Sequence, residues 1–463
     1  MAEKVYKQLQ TTFGERLSYG VFGVGLNIFF VLTQYFLQQY YLINAAVPAS
    51  MIAVVFLLVK VWDAVNDPLF GVVVDKARFK SGKFMPWIRV ATIFLPVTAA
   101  LLFFVPLSLP PLGKAVFLLF AYMLFDAAAT MTEVPANAVT TAMTSDNTER
   151  SQLISTAKLI GMIFALVVLV VPTLYETIGW HTTVLIFSGL AFLTMLPACF
   201  KLKERNIGDR TEKTSFKEIY TYIKGNKYLL IFFASAIIYG ICNTAGGVLN
   251  LFAIYNLGGD DAIMPLLIVS TIPGLLAIVA VKALLKRFDK FHMKLASLAC
   301  TFVISILMYF TGYESMGLLY VWVALRGFST GVHTMLFFLF APDCAEYGAF
   351  KTGTHAEGAA FSIQSFASKA INALAGTFAL FMLAGFGFLE GSATQSDEVK
   401  WGLWFLVSFF PAVGALLQGI ILTLFYKLRD RDVRVMSRAN AGEIAREDAL
   451  KQLKINAKGR DFS

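Results

Sequence analysis

Charge is scarce in this sequence. Only 15% of the 463 residues are Asp, Glu, Lys or Arg, against 57% hydrophobic, and the mean hydropathy is +0.67. A soluble domain of this length carries far more charge, so the soluble classes are excluded and a polytopic membrane protein is expected. Cysteine is rare as well: Cys199, Cys242, Cys300 and Cys344 lie in or beside apolar runs, with no CxxC spacing. They read as small core residues rather than as disulfides or metal ligands. The four histidines, His181, His292, His333 and His355, show no HExxH or other metal spacing, and His333 reads as a satisfied core histidine. A Walker loop, a GxSxG elbow and a dinucleotide fingerprint are all missing, so the chain is not expected to be an enzyme. Without an ATP site, any uphill transport must draw on an ion gradient. No cleavable leader is expected, because residues 1–13 are polar and the first apolar run is too long for one.

What the chain has in abundance is long apolar runs. Twelve of about 20 residues each fall near 16–42, 49–74, 87–107, 114–141, 152–174, 183–202, 229–255, 262–285, 293–312, 316–341, 357–387 and 402–426. The connecting loops alternate in charge. Lys76, Arg78, Lys80, Lys83 and Arg89 follow the second span, and Lys286, Arg287 and Lys290 follow the eighth. The opposite loops hold Glu176, Asp260, Asp261, Glu314, Glu390, Asp397 and Glu398 with only Lys114 and Lys400. The positive-inside rule therefore places both termini in the cytoplasm, and makes the net charge of +9 a topology signal rather than a nucleic-acid surface. The longest polar interruption divides the chain into an N-terminal bundle (1–202), a cytoplasmic linker (203–227), a C-terminal bundle (228–427) and a charged tail (428–463). The basic-acidic loops after the second and eighth spans echo each other, with Asp75 and Asp289 in matching places. The expected fold is all-α, with twelve transmembrane helices in two pseudo-symmetric six-helix bundles.

Ionisable residues inside spans narrow the function. Asp63, Asp67, Asp126 and Glu133 are acids at such positions; Lys60, Lys158, Arg326 and Lys369 are bases. Each costs roughly 2.5–3.5 kcal/mol to insert, so eight of them point to function more than to packing. Asp63 and Asp67 are four residues apart, stacked on one helical face beside Asn66. Their mutual repulsion needs a counter-charge: a bound cation, protons, or basic neighbours. In the fourth span Asp126, Thr130, Glu133 and Asn137 form one continuous polar stripe, as do Asn27, Gln34 and Gln38 in the first and Ser362, Ser365 and Lys369 in the eleventh. Helices with one polar stripe line a water-filled cavity.

The pattern of Asp63, Asn66, Asp67, Pro68, Gly71 and Asp75, followed by Gly82-Lys83-Phe84-Met85-Pro86-Trp87, resembles the glycoside–pentoside–hexuronide:cation symporters. This is the branch of the major facilitator superfamily that contains melibiose permease. Arg16-Leu17-Ser18-Tyr19-Gly20, Glu133-Val134-Pro135, the acidic loop Pro342-Asp343-Cys344-Ala345-Glu346-Tyr347-Gly348 and Lys369 extend the likeness along nearly the whole chain. The resemblance implies cation-coupled sugar or glycoside symport by alternating access. The cation, Na⁺ or H⁺, would be held by Asp63, Asn66, Asp67 and Thr130, with Na⁺ expected at Asp63 and Asp67. Carboxylate, amide and hydroxyl oxygens suit such a hard ion.

On the sugar side the chain departs from melibiose permease. Asn27, Glu133, Asn137 and Lys158 stand where that protein has an acid, Asp, Trp and Arg, and Asp126 and Arg326 are additional charges. The substrate-binding set is therefore expected to comprise Asn27, Asp126, Glu133, Asn137, Lys158, Arg326, Ser365 and Lys369. Arg326 is expected to meet Asp126, Glu133 or a substrate carboxylate. A cytoplasmic gate of Gly71, Asp75, Lys76, Lys83, Asp343 and Glu346 completes the site list. Expected partners are the bilayer, a small sugar or glycoside and a monovalent cation, with no cofactor, nucleic acid or obligate protein partner. Cation-coupled lysolipid transport, a membrane-embedded enzyme and a non-transporting sugar sensor are the competing readings. The polar stripes, the missing catalytic constellations and the complete cation motif count against them in turn.

Overall fold

The computed structural model describes residues 10–77, 79, 81–144, 149, 153–154, 156–157, 160–161, 164, 167, 170–205, 223–243, 245–353 and 357–457. Lys158 and most of the 203–227 linker lie outside them, as do the side chains of Asp75, Lys76 and Ser365. The chain divides into two compact units, Met1–Arg210 with Gly387–Gln395, and Thr211–Phe386 with Ser396–Ser463.

The first unit contains α1 (Phe13–Val31), α2 (Ala49–Lys76), α3 (Met85–Leu101), α4 (Pro111–Met143), α5 (Val171–Ile178) and α6 (Trp180–Lys201). Thr12 and Glu15 close a capping box at the start of α1, satisfying backbone N–H groups that the first helical turn leaves unpaired. Beyond Val31 the first crossing winds into the wider π form over Leu32–Leu37 and Tyr40–Asn44. The change of period interrupts the stripe expected for Asn27, Gln34 and Gln38, and Gln38 is buried. On α2 the apolar side chains Val61, Val65, Leu69 and Val73 form an exposed ridge at helical spacing, the surface a lipid-facing helix needs. The polar residues take the other side, where α2 packs on α4.

The second unit contains α7 (Lys227–Cys242), α8 (Ala245–Asn256), α9 (Ile263–Leu284), α10 (Lys290–Thr311), α11 (Met316–Thr352), α12 (Glu357–Gly385), α13 (Asp397–Ser408), α14 (Phe410–Phe425), α15 (Asp430–Asn440) and α16 (Arg446–Ala457). The helices α9 and α11 cross most closely. A Cβ on Gly327 or Gly331 would run into the backbone of Ser270 or Gly274, so two glycines four apart let the helix backbones touch.

Among the described residues, nine helices or continuous helical runs are long and apolar enough to cross a bilayer alone. The third expected span is the shorter α3. The seventh is α7 continued by α8 past a break at Asn243, and the fifth is described chiefly at its end, in α5. Among the described residues the architecture is that of an all-α polytopic membrane protein.

One expectation is corrected. The acidic segment from Pro342 to Gly348 is not a loop after the tenth span; α11 continues through it to Thr352 and stops at Gly353, whose φ of +70° suits a residue without a side chain. Burial explains the extra turns, because Phe340, Ala341, Cys344, Ala345, Tyr347, Ala349 and Phe350 are packed around most of the helix circumference. The charged tail, in which the sequence allows a short helix, forms two, α15 and α16. Met436, Ala449 and Leu453 on these helices are part of the second unit's hydrophobic core.

Candidate functional site

The α2–α4 interface gathers most of the expected cation set. The Thr130 hydroxyl donates to Asp67 Oδ1 at 2.7 Å and accepts from Asn66 Nδ2 at 2.9 Å. One buried hydroxyl thus ties an amide and a carboxylate of α2 to α4. The Trp62 indole N–H donates to the Met123 carbonyl at 3.2 Å and fixes the same pair of helices one turn away. Asp63, only 5% exposed, lies 3.8 Å from the ammonium of Lys60. Tyr122 stands within electrostatic reach of Lys60, Asp126 and Asp63. Counter-charge for Asp63 is therefore present on its own helix, a role that spacing in the sequence did not assign to Lys60. Asp67 accepts from the Thr130 hydroxyl.

The expected stripe on α4 separates into two parts. Asp126 and Thr130 are buried, whereas Glu133 and Asn137 are exposed. Asn27 turns its amide back to the Gly23 carbonyl at 2.8 Å, and Gly161 leaves it space, since a Cβ there would strike that amide. In the second unit Arg326 is buried and donates to the Val407 carbonyl, so its guanidinium has a backbone partner within its own unit. Lys369 is half-buried on α12.

Of the residues expected to form the gate, Lys83, Asp343 and Glu346 have partners among the described residues. In the first unit, Glu204 accepts from the backbone N–H groups of Lys83 (2.7 Å), Phe84 (2.8 Å) and Met85 (2.7 Å). It caps α3, where the helix dipole favours a carboxylate. Glu149 is 3% exposed and accepts from Gln10 N, Thr11 N, the Thr11 hydroxyl and the Thr144 hydroxyl. Burial pushes its carboxyl up, but the hydrogen bonds from Thr11, Thr144 and Gln10 outweigh this and hold it below the usual carboxylate range. The stability it contributes is present above the ordinary carboxylate pKa and is lost as pH falls through the lowered one. Glu390 accepts from Ala49 N at 2.8 Å and caps α2, a helix that begins with no side-chain cap of its own.

In the second unit Lys290 joins Asp343 at 2.5 Å and Asp430 at 3.6 Å, and Asp289 accepts from Asp430 N at 3.0 Å. Glu346 accepts from the Ser437 hydroxyl at 3.1 Å and from Asn440 Nδ2 at 2.7 Å. The two acids of the expected gate therefore hold the root of α10 and the tail helix α15. Glu346→Ala removes both side-chain acceptors. We expect about 1–2 kcal/mol of lost tail docking, measured as faster trypsin cleavage within 430–457 and a lower Tm in detergent. Gly71 has open space around it, and the structure gives Lys83 a role through its backbone.

Sequence reasoning missed Glu204, Glu390 and Lys290 as partners, and it did not count Lys294 among the membrane-embedded bases. A model described as "MFS/sugar transport protein" matches residues 18–430. The chain belongs to this family. It is a membrane transporter, and the likeness to glycoside–pentoside–hexuronide:cation symporters extends to its relatives. A putative sulfoquinovose importer of Salmonella typhimurium is 27% identical over 439 residues, covering 91% of each chain. A putative glycoside/cation symporter of Escherichia coli is 25% identical over 440 residues, covering 93% of this chain and 95% of its own. A crystal structure of the nucleoside transporter NupG superposes with a TM-score of 0.65 at 14% identity, covering 89% of this chain and 99% of that one, which supports the shared fold.

Proposed function

We propose that the protein is a secondary transporter that couples a monovalent cation to the movement of a sugar or glycoside by alternating access. One observation carries the reading: in a chain of the sugar-transport family, the Thr130 hydroxyl bridges Asn66 and Asp67 between α2 and α4. With Asp63 one turn away, the carboxylates, amide and hydroxyl of this set offer the oxygen types suited to Na⁺, and either acid can take a proton instead. Lys60 supplies part of the positive charge when the cation is absent. Cation and sugar then raise each other's affinity by the same factor, as linkage requires.

The proposed sugar contacts are Asn27, Asp126, Glu133, Asn137, Lys158, Ser365 and Lys369, with Arg326, expected among them from the sequence, set apart by its bond to the Val407 carbonyl, and both termini are proposed to be cytoplasmic. Counterflow in proteoliposomes with a panel of neutral and acidic glycosides, with and without sodium, tests the reading. Exchange of at least one glycoside that is strengthened by sodium or by lowered pH is expected; no exchange of any panel member overturns it. Arg326→Ala sharpens the same assay. Because its guanidinium is bonded to Val407, uptake of neutral and acidic sugars is expected to fall by similar factors. A loss confined to acidic sugars would assign Arg326 to a substrate carboxylate.

A further inference from the structure

The second unit contains a polar seam that the cation and sugar sites do not use. It runs between α10 and α11, which pack directly on each other. Lys294 of α10 has no exposed surface. Its Nζ lies 3.0 Å from Nε2 of His333 on α11 and donates to the His333 carbonyl at 3.1 Å. The Phe232 ring of α7 lies beside the ammonium at 5.5 Å, and Tyr239 of α7 stacks on the imidazole at 4.0 Å. Further along, Ser329 donates to the Ser297 carbonyl and shares a 2.8 Å hydrogen bond with Thr301. Nδ1 of His333 is buried without a hydrogen-bond partner among the described residues.

The surrounding charges are one-sided. Arg326 precedes His333 on α11 by two turns. The α14 helix contributes Gln418, whose amide reaches Ser235, and α12, packed on α7, carries Lys369. Among the described residues no carboxylate is within ion-pair distance of Lys294, His333 or Arg326. Asp343 and Asp430 are engaged with Lys290, one turn back along α10.

A 3.0 Å contact between an amine and an imidazole nitrogen requires one of the two to keep a lone pair. Doubly protonated, the pair would set N–H against N–H with no counter-charge. Packing by two aromatic rings and zero exposure exclude any larger ion. As mere structure the pair would be wasteful, because an apolar side chain of the same length fills the space without burying an amine.

We propose that Lys294 and His333 form a proton-binding site of the second unit, holding one exchangeable proton that ties α10 to α11. The proton enters from water and leaves to water, with no other bond made or broken. This inference rests on the proposed transport reading only for its place in a transport cycle, and its test needs neither sugar nor sodium.

The test uses the full-length protein in detergent, labelled with ¹⁵N-histidine, across about pH 5–9. The chain has four histidines, and the signal lost in His333→Gln is that of His333. Its Nε2 resonance is expected to lie between the N–H and lone-pair positions, to move with pH, and to stop doing so in Lys294→Met. A His333 signal that ignores pH in the native protein, or moves unchanged in Lys294→Met, overturns the site. Proton uptake measured over the same range should fall by about one proton per molecule in the Lys294→Met/His333→Gln double variant; an unchanged count also overturns it. His333→Gln leaves Lys294 an acceptor, so the assignment survives should the double variant fail to fold. Asp67→Cys should leave this signal unaltered, which separates failure of this site from failure of the α2 cation site.

Discussion

Asp67→Cys is expected to abolish concentrative uptake while the protein still inserts in the membrane. The carboxylate is the acceptor of the Thr130 hydroxyl, so its removal does two things. It takes away a full charge that a cation would meet, and it leaves a buried hydroxyl without its acceptor. Losing a charge-assisted contact of this kind costs about 3 kcal/mol, or roughly a hundredfold in cation affinity. Asp63→Cys should have a similar effect on accumulation, with the added consequence that Lys60 loses its partner at 3.8 Å. Thr130→Ser keeps the hydroxyl and should retain uptake. Thr130→Val should lose about tenfold in apparent cation affinity, equivalent to one hydrogen bond of about 1.4 kcal/mol. The measurement is gradient-driven accumulation of a glycoside identified by counterflow, normalised to protein in the membrane. Unaltered accumulation by both cysteine variants would falsify the α2 assignment.

The second large effect is on stability, at the turn between α2 and α3. Gly82 has a φ of +117°, beyond the left-handed region that Asn or Asp tolerate, and a Cβ there would sit 2.8 Å from the Glu204 carboxylate. Gly82→Ala therefore combines backbone strain of about 1–3 kcal/mol with a collision at the group that caps α3. Glu204→Ala strands the N–H groups of Lys83, Phe84 and Met85 and should cost about 2–4 kcal/mol. The double variant is expected to lose less than the sum, because the atoms nearest the added methyl all belong to Glu204 and go with it. Thermal unfolding in detergent reads all three. Full additivity would show that the turn and the carboxylate act independently.

These two predictions differ in how far the sequence reached them. Asp63, Asn66 and Asp67 were visible as neighbours because a helix repeats every 3.6 residues and the three lie within five positions. Thr130 entered through family resemblance; the structure supplies the hydroxyl bridge itself. Glu204 could not be paired with the glycine turn, since about 120 residues separate them and a lone glutamate after an apolar run carries no address. The misread acidic segment after the tenth span has a similar cause. Pro342, Asp343 and Glu346 look like a loop by composition, yet buried side chains on the neighbouring positions continue the helix beneath them. The stripe on α1 failed for a local reason, because π-turns change the period on which the stripe was counted.

Lys294 is the clearest case of information present but unread. It lies four residues inside α10 with Ser297 and Thr301 at helical spacing on the same face, a polar stripe as regular as that on α4. Its proximity to the end of an apolar run made it resemble an interfacial lysine that reaches for water. Packing of α7 and α11 against it removes that option.

By itself the sequence determined that this is a membrane protein, where most of its apolar spans lie, which family it belongs to and which short motif on α2 concentrates its charge. All of these depend on hydrophobic length and helical period, which act over a few turns of one chain segment. Only the tertiary structure decided which partners those residues meet. It placed Thr130 on Asp67, Lys60 beside Asp63, Glu204 on the α3 terminus, the tail on Glu346, and His333 on Lys294. Each of these pairings other than Lys60–Asp63 joins separate helices or a helix to a distant loop. Desolvation makes a buried polar group seek a partner, but the identity of that partner is set by how the helices pack.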